Sequence, residues 1–521
     1  MTGKPIDKTV FALAVVTSLL VSVPLIIFSE SLGPGIVKLY DWTALNLGII
    51  YQWAAIGAMV VSAYLAFGQY GRIKLGAKDD VPDFSTISWV AMLFTAGVGG
   101  GLLYWAGIEW TFYYEAPPFG VEPRSTEAIR WATSYGLFHW GVSAWCIYGL
   151  PSVALAYAFY NKGVPYLRFS ASILGARCAT SPWGKLIDLI FMIGLIGGAG
   201  TSLALTVPVI SAGVAELTGL VRSTPMDLAV ISACVALFGI TVFLGLERGI
   251  KRLADANLWL ALLFLAFILV VGPTGFILSM GTESLGHMAS NLITMITYTD
   301  PVDQTRFVQD WTIFYWAWWI AFAPFVGIFV TRISKGRTIR QVLLGMSVFG
   351  SLGVWAFYIV FGNYALYLEI TGALPVVEMV HDDAAAAIAA IISNLPLGNV
   401  ALLIFVTVTT VFVATTYNSA SYTLASAATQ SLRAGEDPAR WHRVFWAGVL
   451  GVLPIGLMFI GGLKVVQSAV LLAGLPIAIA GVFMTRSLLI WLKQDAETDQ
   501  STKLTSTPIA ARHSSRDPNQ D

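Results

Sequence analysis

Five aromatic residues, Trp311, Tyr315, Trp318, Phe322 and Phe325, follow one another at steps of four and three, which places all five on one face of an α-helix. At 1.5 Å per residue the stripe is roughly 21 Å long, most of the depth of a bilayer's hydrocarbon. A stripe of this kind can be core packing, and its two ends can be interfacial belts. A belt does not explain rings through the middle of a segment that runs up to Pro324. The chemical alternative is a cage. A methylated ammonium or a sulfonium has no N–H to donate and is weakly hydrated, so it exchanges water for ring faces at about 0.5 to 2 kcal/mol per ring. A primary amine or a metal ion would demand a carboxylate, and the segment offers only Asp310, at its end. Trp140, Trp145 and Tyr148, in a second apolar segment, supply further candidate walls.

A different set of residues suits a small hard cation. Gly97, Gly99, Gly100 and Gly101 fall within five positions. Each costs roughly 1 kcal/mol of helix propensity, so the helix loosens there unless neighbours hold it. Irregular backbone inside a membrane is tolerated where protein or a wet cavity surrounds it, and its carbonyls are then available to a cation. The bland alternative is close helix packing through Gly97 and Gly101. Hydroxyls for such a site occur at Thr415 and Thr416, and again at Thr201, Ser202 and Thr206; in apolar helices these side chains more often bond their own backbone. Glu109, at the end of the glycine-bearing segment, is expensive in a membrane and therefore functional by default, as a proton carrier or as an acceptor for backbone N–H groups near the loosened helix. His139, beside Trp140, reads as a packed histidine or a relay.

The elements that carry these residues are membrane spans. A chain of 521 residues that is 56% hydrophobic and 12% charged, with a mean hydropathy of +0.73, needs lipid as a solvent. Apolar stretches of about 20 residues are centred near 19, 57, 99, 147, 200, 238, 264, 320, 354, 413, 453 and 480, giving twelve spans and both termini on one side. Lys and Arg alternate between rich and poor connections, with 24 of the 30 on the side of the termini, which the positive-inside rule makes cytoplasmic. The cluster Arg332, Lys335, Arg337 and Arg340 reads as a solvated loop that sets orientation, or as a contact to anionic lipid or a neighbouring subunit. Net charge is zero, so no nucleic-acid partner is suggested. The five histidines show no ligand spacing, which argues against a membrane enzyme. Cys146, Cys178 and Cys234 have no paired spacing and are expected as free thiols. The first span, from about Val10, reads as a retained helix rather than a signal peptide. Amphipathic stretches at 284–297 and 380–394 are candidate surface helices, and the chain turns polar and disordered in character after Lys493.

The segment from Asp310 to Arg340, DWTIFYWAWWIAFAPFVGIFVTRISKGRTIR, closely resembles the signature of the betaine/choline/carnitine transporter family. The FHWG at Phe138 to Gly141, the YTDP at Tyr298 to Pro301 and the NSASYTLA at Asn418 to Ala425 match as well, and the resemblance covers roughly residues 5–492. It implies an all-α integral membrane protein of twelve helices, with a leucine-transporter-like pair of inverted five-helix repeats preceded by two extra helices. The division is then a tail at 1–9, two peripheral helices in 10–86, repeats at 87–277 and 309–492, an outer amphipathic connection at 278–308 and a cytoplasmic tail at 493–521. It implies a secondary carrier of a quaternary-ammonium or sulfonium zwitterion, multi-pass in the cell inner membrane, commonly trimeric.

In the family the cage is built from the positions matching Trp140, Tyr148, Trp318, Trp319 and Phe322, with Trp311 on the route to the site; Phe322 stands where relatives usually carry Trp or Tyr, which leaves the exact solute open. No cofactor is implied beyond Na+ as coupling ion. The sodium-coupled members use hard oxygen ligands that here correspond to Thr415 and Thr416 with carbonyls near Ala96, Val98 and Phe412. A second, weaker set is Thr201, Ser202, Thr206 and Phe325. The sodium-independent carnitine/γ-butyrobetaine exchanger instead places an arginine at the position of Asn257, although the PPFG at Pro117 to Gly120 looks closest to that exchanger. An osmosensor or receptor is the alternative of another class, which the short N-terminal tail and weakly basic C-terminal tail disfavour.

Overall fold

The computed structural model describes residues 5–97, 99–244, 247–432, 436–460 and 463–506. Among these the only β pairing is two isolated bridges, Ile6 with Thr429 and Lys74 with Thr338; the rest is helix and connection. The first half holds α1 (Lys8–Ile27), α2 (Ser29–Phe67), α3 (Thr86–Gly97), α4 (Gly101–Glu115), α5 (Thr126–Trp140), α6 (Val142–Ala156), α7 (Ala176–Thr180), α8 (Pro182–Thr218), α9 (Thr224–Leu244), α10 (Glu247–Val271) and α11 (Thr274–Thr297). The second half holds α12 (Ile313–Ile333), α13 (Ile339–Gly345), α14 (Ser351–Phe357), α15 (Asn363–Ile370), α16 (Val376–Ser393), α17 (Gly398–Ala427), α18 (Arg440–Ile460) and α19 (Leu463–Ser506). Single π turns join α13, α14 and α15 into one rod, Ile339–Ile370.

All twelve expected centres fall on this list, eleven inside helices and the one near 99 at the gap between α3 and α4. Among the described residues eight helical segments are individually long and apolar enough to cross a membrane. The other four centres fall on α1, on α18, on the interrupted α3–α4 and on α10, which turns by 113° into α11. That turn sits at Gly272 and Pro273, where proline has no N–H to continue the helix ladder. The candidate surface stretches belong to longer helices: 284–297 is the second part of α11, and 380–394 lies in α16, whose backbone breaks at Asp383 (φ −154°, ψ 101°). The polar segment after Lys493 stays helical as far as Ser506, because its Gln, Ala, Glu and Thr residues tolerate helix where polarity alone suggested an end.

Packing follows a crossed plan. The rod of α12 lies on α6, while α3 and α4 lie on the rod of α13–α15; α8 packs on α19 and α18, while α17 packs on α10 and α9; α8 and α17 pack on each other. The two halves of the chain thus pack across each other rather than side by side. The most apolar window of Val308–Ile333 is 94% buried against 22% for Thr224–Phe243, so the aromatic stripe is on an inner helix and α9 on the lipid side.

On the side of the termini the chain start is stitched to the end of α17. Asp7 N–H donates to Ala428 O and Gln430 N–H to Pro5 O, both at 2.9 Å. Asp7 caps α1 and faces Lys185 at 3.2 Å and Arg168 at 3.5 Å. Burial pushes its carboxyl up, but the Lys185 hydrogen bond, the Val10 N–H and the charge of Arg168 outweigh it and hold the group below its ordinary value. The three cysteines are buried and unpaired.

Candidate functional site, an aromatic box beside a broken helix

The gap between α3 and α4 shows that the glycine run interrupts the helix, and the same residues let neighbours close in. A Cβ on Gly100 would lie 2.6 Å from Thr206 Cγ2. One on Gly99 would lie 3.3 Å from Ser202 Oγ and 3.5 Å from Thr416 Oγ1, and one on Gly101 would lie 3.1 Å from the Trp318 ring and 3.8 Å from that of Trp140. Both readings of the run therefore hold together: the helix breaks, and α8, α17, α12 and the end of α5 crowd against the break.

Above Gly101 the rings form a box. Trp318 and Trp319 stack on each other at 5.2 Å and 12°, and Trp140 meets them edge-on at 6.0 and 4.7 Å. Tyr148 closes the side of Trp319, T-shaped at 5.8 Å. The remaining candidates sit apart from these four. Trp145 overlies Gly350 and reaches the box only through Tyr148. Trp311 lies one layer out, T-shaped on Trp105 at 5.8 Å and on Tyr113 at 5.1 Å. Phe322 turns its ring onto Gly198 of α8 and, at 5.6 Å, onto Phe325; among the described residues it makes no ring contact with either tryptophan. The stripe from Tyr315 to Phe325 is one face of α12, while Trp311 stands in the π turn Val308–Thr312 that leads into it, and different helices cover the stripe along its length.

Polar anchors hold half of the box. Glu109, fully buried on α4, accepts from Tyr113 Oη at 2.6 Å, Trp140 Nε1 at 3.0 Å and Tyr315 Oη at 2.6 Å, and also from Tyr358 Oη. The expectation that it would cap backbone N–H groups is corrected: its four donors are side chains, since the N–H groups of α4 are already used within the helix and the aromatic wall is rich in donors. Trp319 Nε1 donates to His139 O at 2.9 Å. The His139 ring bridges Tyr113 Oη through Nδ1 at 3.0 Å and Thr312 Oγ1 through Nε2 at 3.1 Å. Because the Tyr113 proton goes to Glu109, Nδ1 carries the ring proton and Nε2 accepts from Thr312. Trp318 Nε1 and Tyr148 Oη, in contrast, are buried with no hydrogen-bond partner. Tyr113, Tyr315 and Tyr358 are the residues that sequence reasoning missed as anchors; only Tyr113, four residues after Glu109 on one helix, left a local signal.

The hydroxyls at the break divide by what they already bond. Thr415 donates to the carbonyls of Val411 and Phe412, both at 3.0 Å, and Thr206 to Ser202 O at 2.6 Å. Thr416 Oγ1 is buried and unpartnered, and so is Asn257 Oδ1 on α10, a helix that packs on both α3 and α17. Members of both hydroxyl sets, Ser202 and Thr206 on one side and Thr416 on the other, flank the same break, because α8 and α17 pack on each other there. Thr201 is buried on α8, Phe325 is buried on α12, Ala96 lies in the last turn of α3, and Val98 falls outside the described residues.

The model of the betaine/carnitine/choline family transporter matches residues 9–497. The uncharacterized transporter YeaV of Escherichia coli (strain K12) is 35% identical over 443 residues, 84% of this chain and 92% of that protein. A carnitine transporter of Acinetobacter baumannii (strain ATCC 19606) is 35% identical over 443 residues, 84% of this chain and 80% of that protein. A solved structure of a Na+-coupled sialic acid symporter, substrate-bound and outward-open, aligns over 87% of this chain and 82% of its own at 14% identity and a TM-score of 0.40. With a family model spanning nearly the whole chain and relatives of this identity and coverage, the chain belongs to the betaine/carnitine/choline transporter family.

Proposed function

We propose that this transporter carries a quaternary-ammonium or sulfonium zwitterion, such as glycine betaine or carnitine, by alternating access with Na+ symport. The observation that carries the reading is the box in which Trp140 of α5 and Tyr148 of α6 close edge-on upon the stacked Trp318 and Trp319 of α12, with two buried donors, Trp318 Nε1 and Tyr148 Oη, left without acceptors. Ring faces suit the methylated cation. An unpartnered buried donor costs about 1–3 kcal/mol, which an acceptor oxygen on the ligand recovers. A zwitterion brings both: the ammonium for the rings and a carboxylate for Trp318 Nε1 and Tyr148 Oη.

Sodium is supported by the unpartnered Thr416 Oγ1 beside the broken helix, with Ser202 close by, and by the unpartnered Asn257 Oδ1 on α10, which packs on α3. No fixed cation is supplied by Asn257 itself. In this reading residues 87–277 and 309–492 are the two repeats that rock against each other, the termini are cytoplasmic, and the molecule is a homotrimer in the inner membrane.

Uptake of labelled glycine betaine and carnitine into proteoliposomes tests the proposal. Saturable uptake is expected to collapse when external sodium is replaced by N-methylglucamine and to be restored by an inward sodium gradient. Unchanged rates without sodium, together with a requirement for substrate inside the vesicle, would establish exchange instead.

A further inference from the structure

Away from the box, α2, α6, α12 and α19 leave between them an apolar groove of about 730 Å³. Its back wall includes Ile320, Ala323 and Pro324, the outward side of the helix that bears the box tryptophans. Trp53 and Val482, 66% and 65% exposed, stand among its lining residues, so the groove opens toward lipid. Two lining glycines, Gly57 and Gly481, have nothing within 4 Å of an added Cβ; both look into empty space.

The lining of the groove is apolar except for Thr485, Arg486 and Lys493, all on the half of it nearer the C-terminal tail. From Ile477 to Lys493 it follows α19 for about 24 Å, more than one leaflet's hydrocarbon depth of roughly 15 Å. Arg486 sits about 10 Å further along α19 into the groove than Lys493. Among the described residues no ion pair joins Arg486 to a carboxylate, and Lys493 reaches only Glu497, at 3.9 Å with both side chains exposed. An arginine at that depth needs a polar partner, and the fork of its guanidinium matches a phosphate.

We propose that this groove binds an anionic phospholipid, with an acyl chain along α19 against Ile320 and Pro324 and the headgroup phosphate between Arg486 and Lys493. Two cations at the mouth of an apolar cleft complement a net negative headgroup better than a zwitterionic one. The lipid braces the back of α12 and does not depend on which solute the box takes.

The test uses the full-length protein in mild detergent, incubated with equal amounts of palmitoyl-oleoyl phosphatidylglycerol and phosphatidylcholine, followed by native mass spectrometry. Wild type is expected to retain phosphatidylglycerol over phosphatidylcholine by at least threefold. Arg486→Gln with Lys493→Gln is expected to bring that ratio to one while still binding lipid. Gly57→Leu with Gly481→Leu fills the groove and is expected to lower retention of both lipids. Equal retention by wild type, or an undiminished preference in the Gln pair, would overturn the proposal. So would a change of oligomeric mass in place of lipid loss in the Leu pair, because a second copy of this chain would then be the occupant. If the Leu pair does not fold, the conservative Gln pair decides.

Discussion

A single carboxylate sets much of the geometry at the scale of residues. Glu109 gathers donors from its own helix, from α5, from α12 and from the rod of α13–α15, and one of those donors is the indole of Trp140, a wall of the box. Leaving one of these buried donors without an acceptor costs about 1–3 kcal/mol. Glu109→Gln keeps the volume but turns one acceptor into a donor that faces phenol and indole protons. It is expected to weaken binding of glycine betaine or carnitine at least tenfold, read by equilibrium binding to the purified protein. A fall in melting temperature with unchanged affinity would make Glu109 a fold residue with no part in positioning the box. The sequence marked Glu109 as costly but could not name its partners, because Trp140, Tyr315 and Tyr358 lie 31, 206 and 249 positions away. It likewise offered Thr415 and Thr416 as equals. Neighbours on a helix point about 100° apart, so one bonds its own backbone while the other is left buried and unpartnered beside the break.

Among the elements, the interruption between α3 and α4 does two things at once. It leaves backbone outside the helix ladder, and its missing side chains allow α8, α17 and α12 to approach. The glycine run made the interruption legible, and the four-and-three spacing made the inner face of α12 legible. The helices that would cover each part were not, since they lie about a hundred residues or more away in the chain. Gly100→Ala puts a methyl 2.6 Å from Thr206 Cγ2 and 2.7 Å from Thr206 Oγ1, both far inside contact distance. Overpacking of this sort costs about 1–3 kcal/mol, so the variant is expected to melt earlier than wild type and to need more sodium for half-maximal uptake. Gly448→Ala, on α18 with nothing within 4 Å, is the control and is expected to match wild type or exceed it slightly, as alanine is the better helix former. Equal melting of the two variants would mean that α8 moves aside freely and that the break is not tightly held.

The molecule as a whole joins a set of stacked rings to an interruption between two helices, with the crossed packing of its two halves connecting them. Spans and fold class followed from hydropathy and from the family signature. The grouping of Trp140 and Tyr148 with Trp318 and Trp319 depends on α12 lying along α6 and meeting the last residues of α5, which no local pattern encodes. The central claim is that these rings hold the methylated cation. Its most direct measurement is equilibrium binding of labelled glycine betaine, carnitine and γ-butyrobetaine to purified wild type and to Trp318→Leu with Trp319→Leu, which keeps apolar bulk and removes two ring faces. Loss of at least about 1 kcal/mol, or roughly fivefold in Kd, is the predicted result, with melting behaviour retained. Binding of all three compounds by the double variant as tightly as by wild type would contradict the account and place the cation elsewhere.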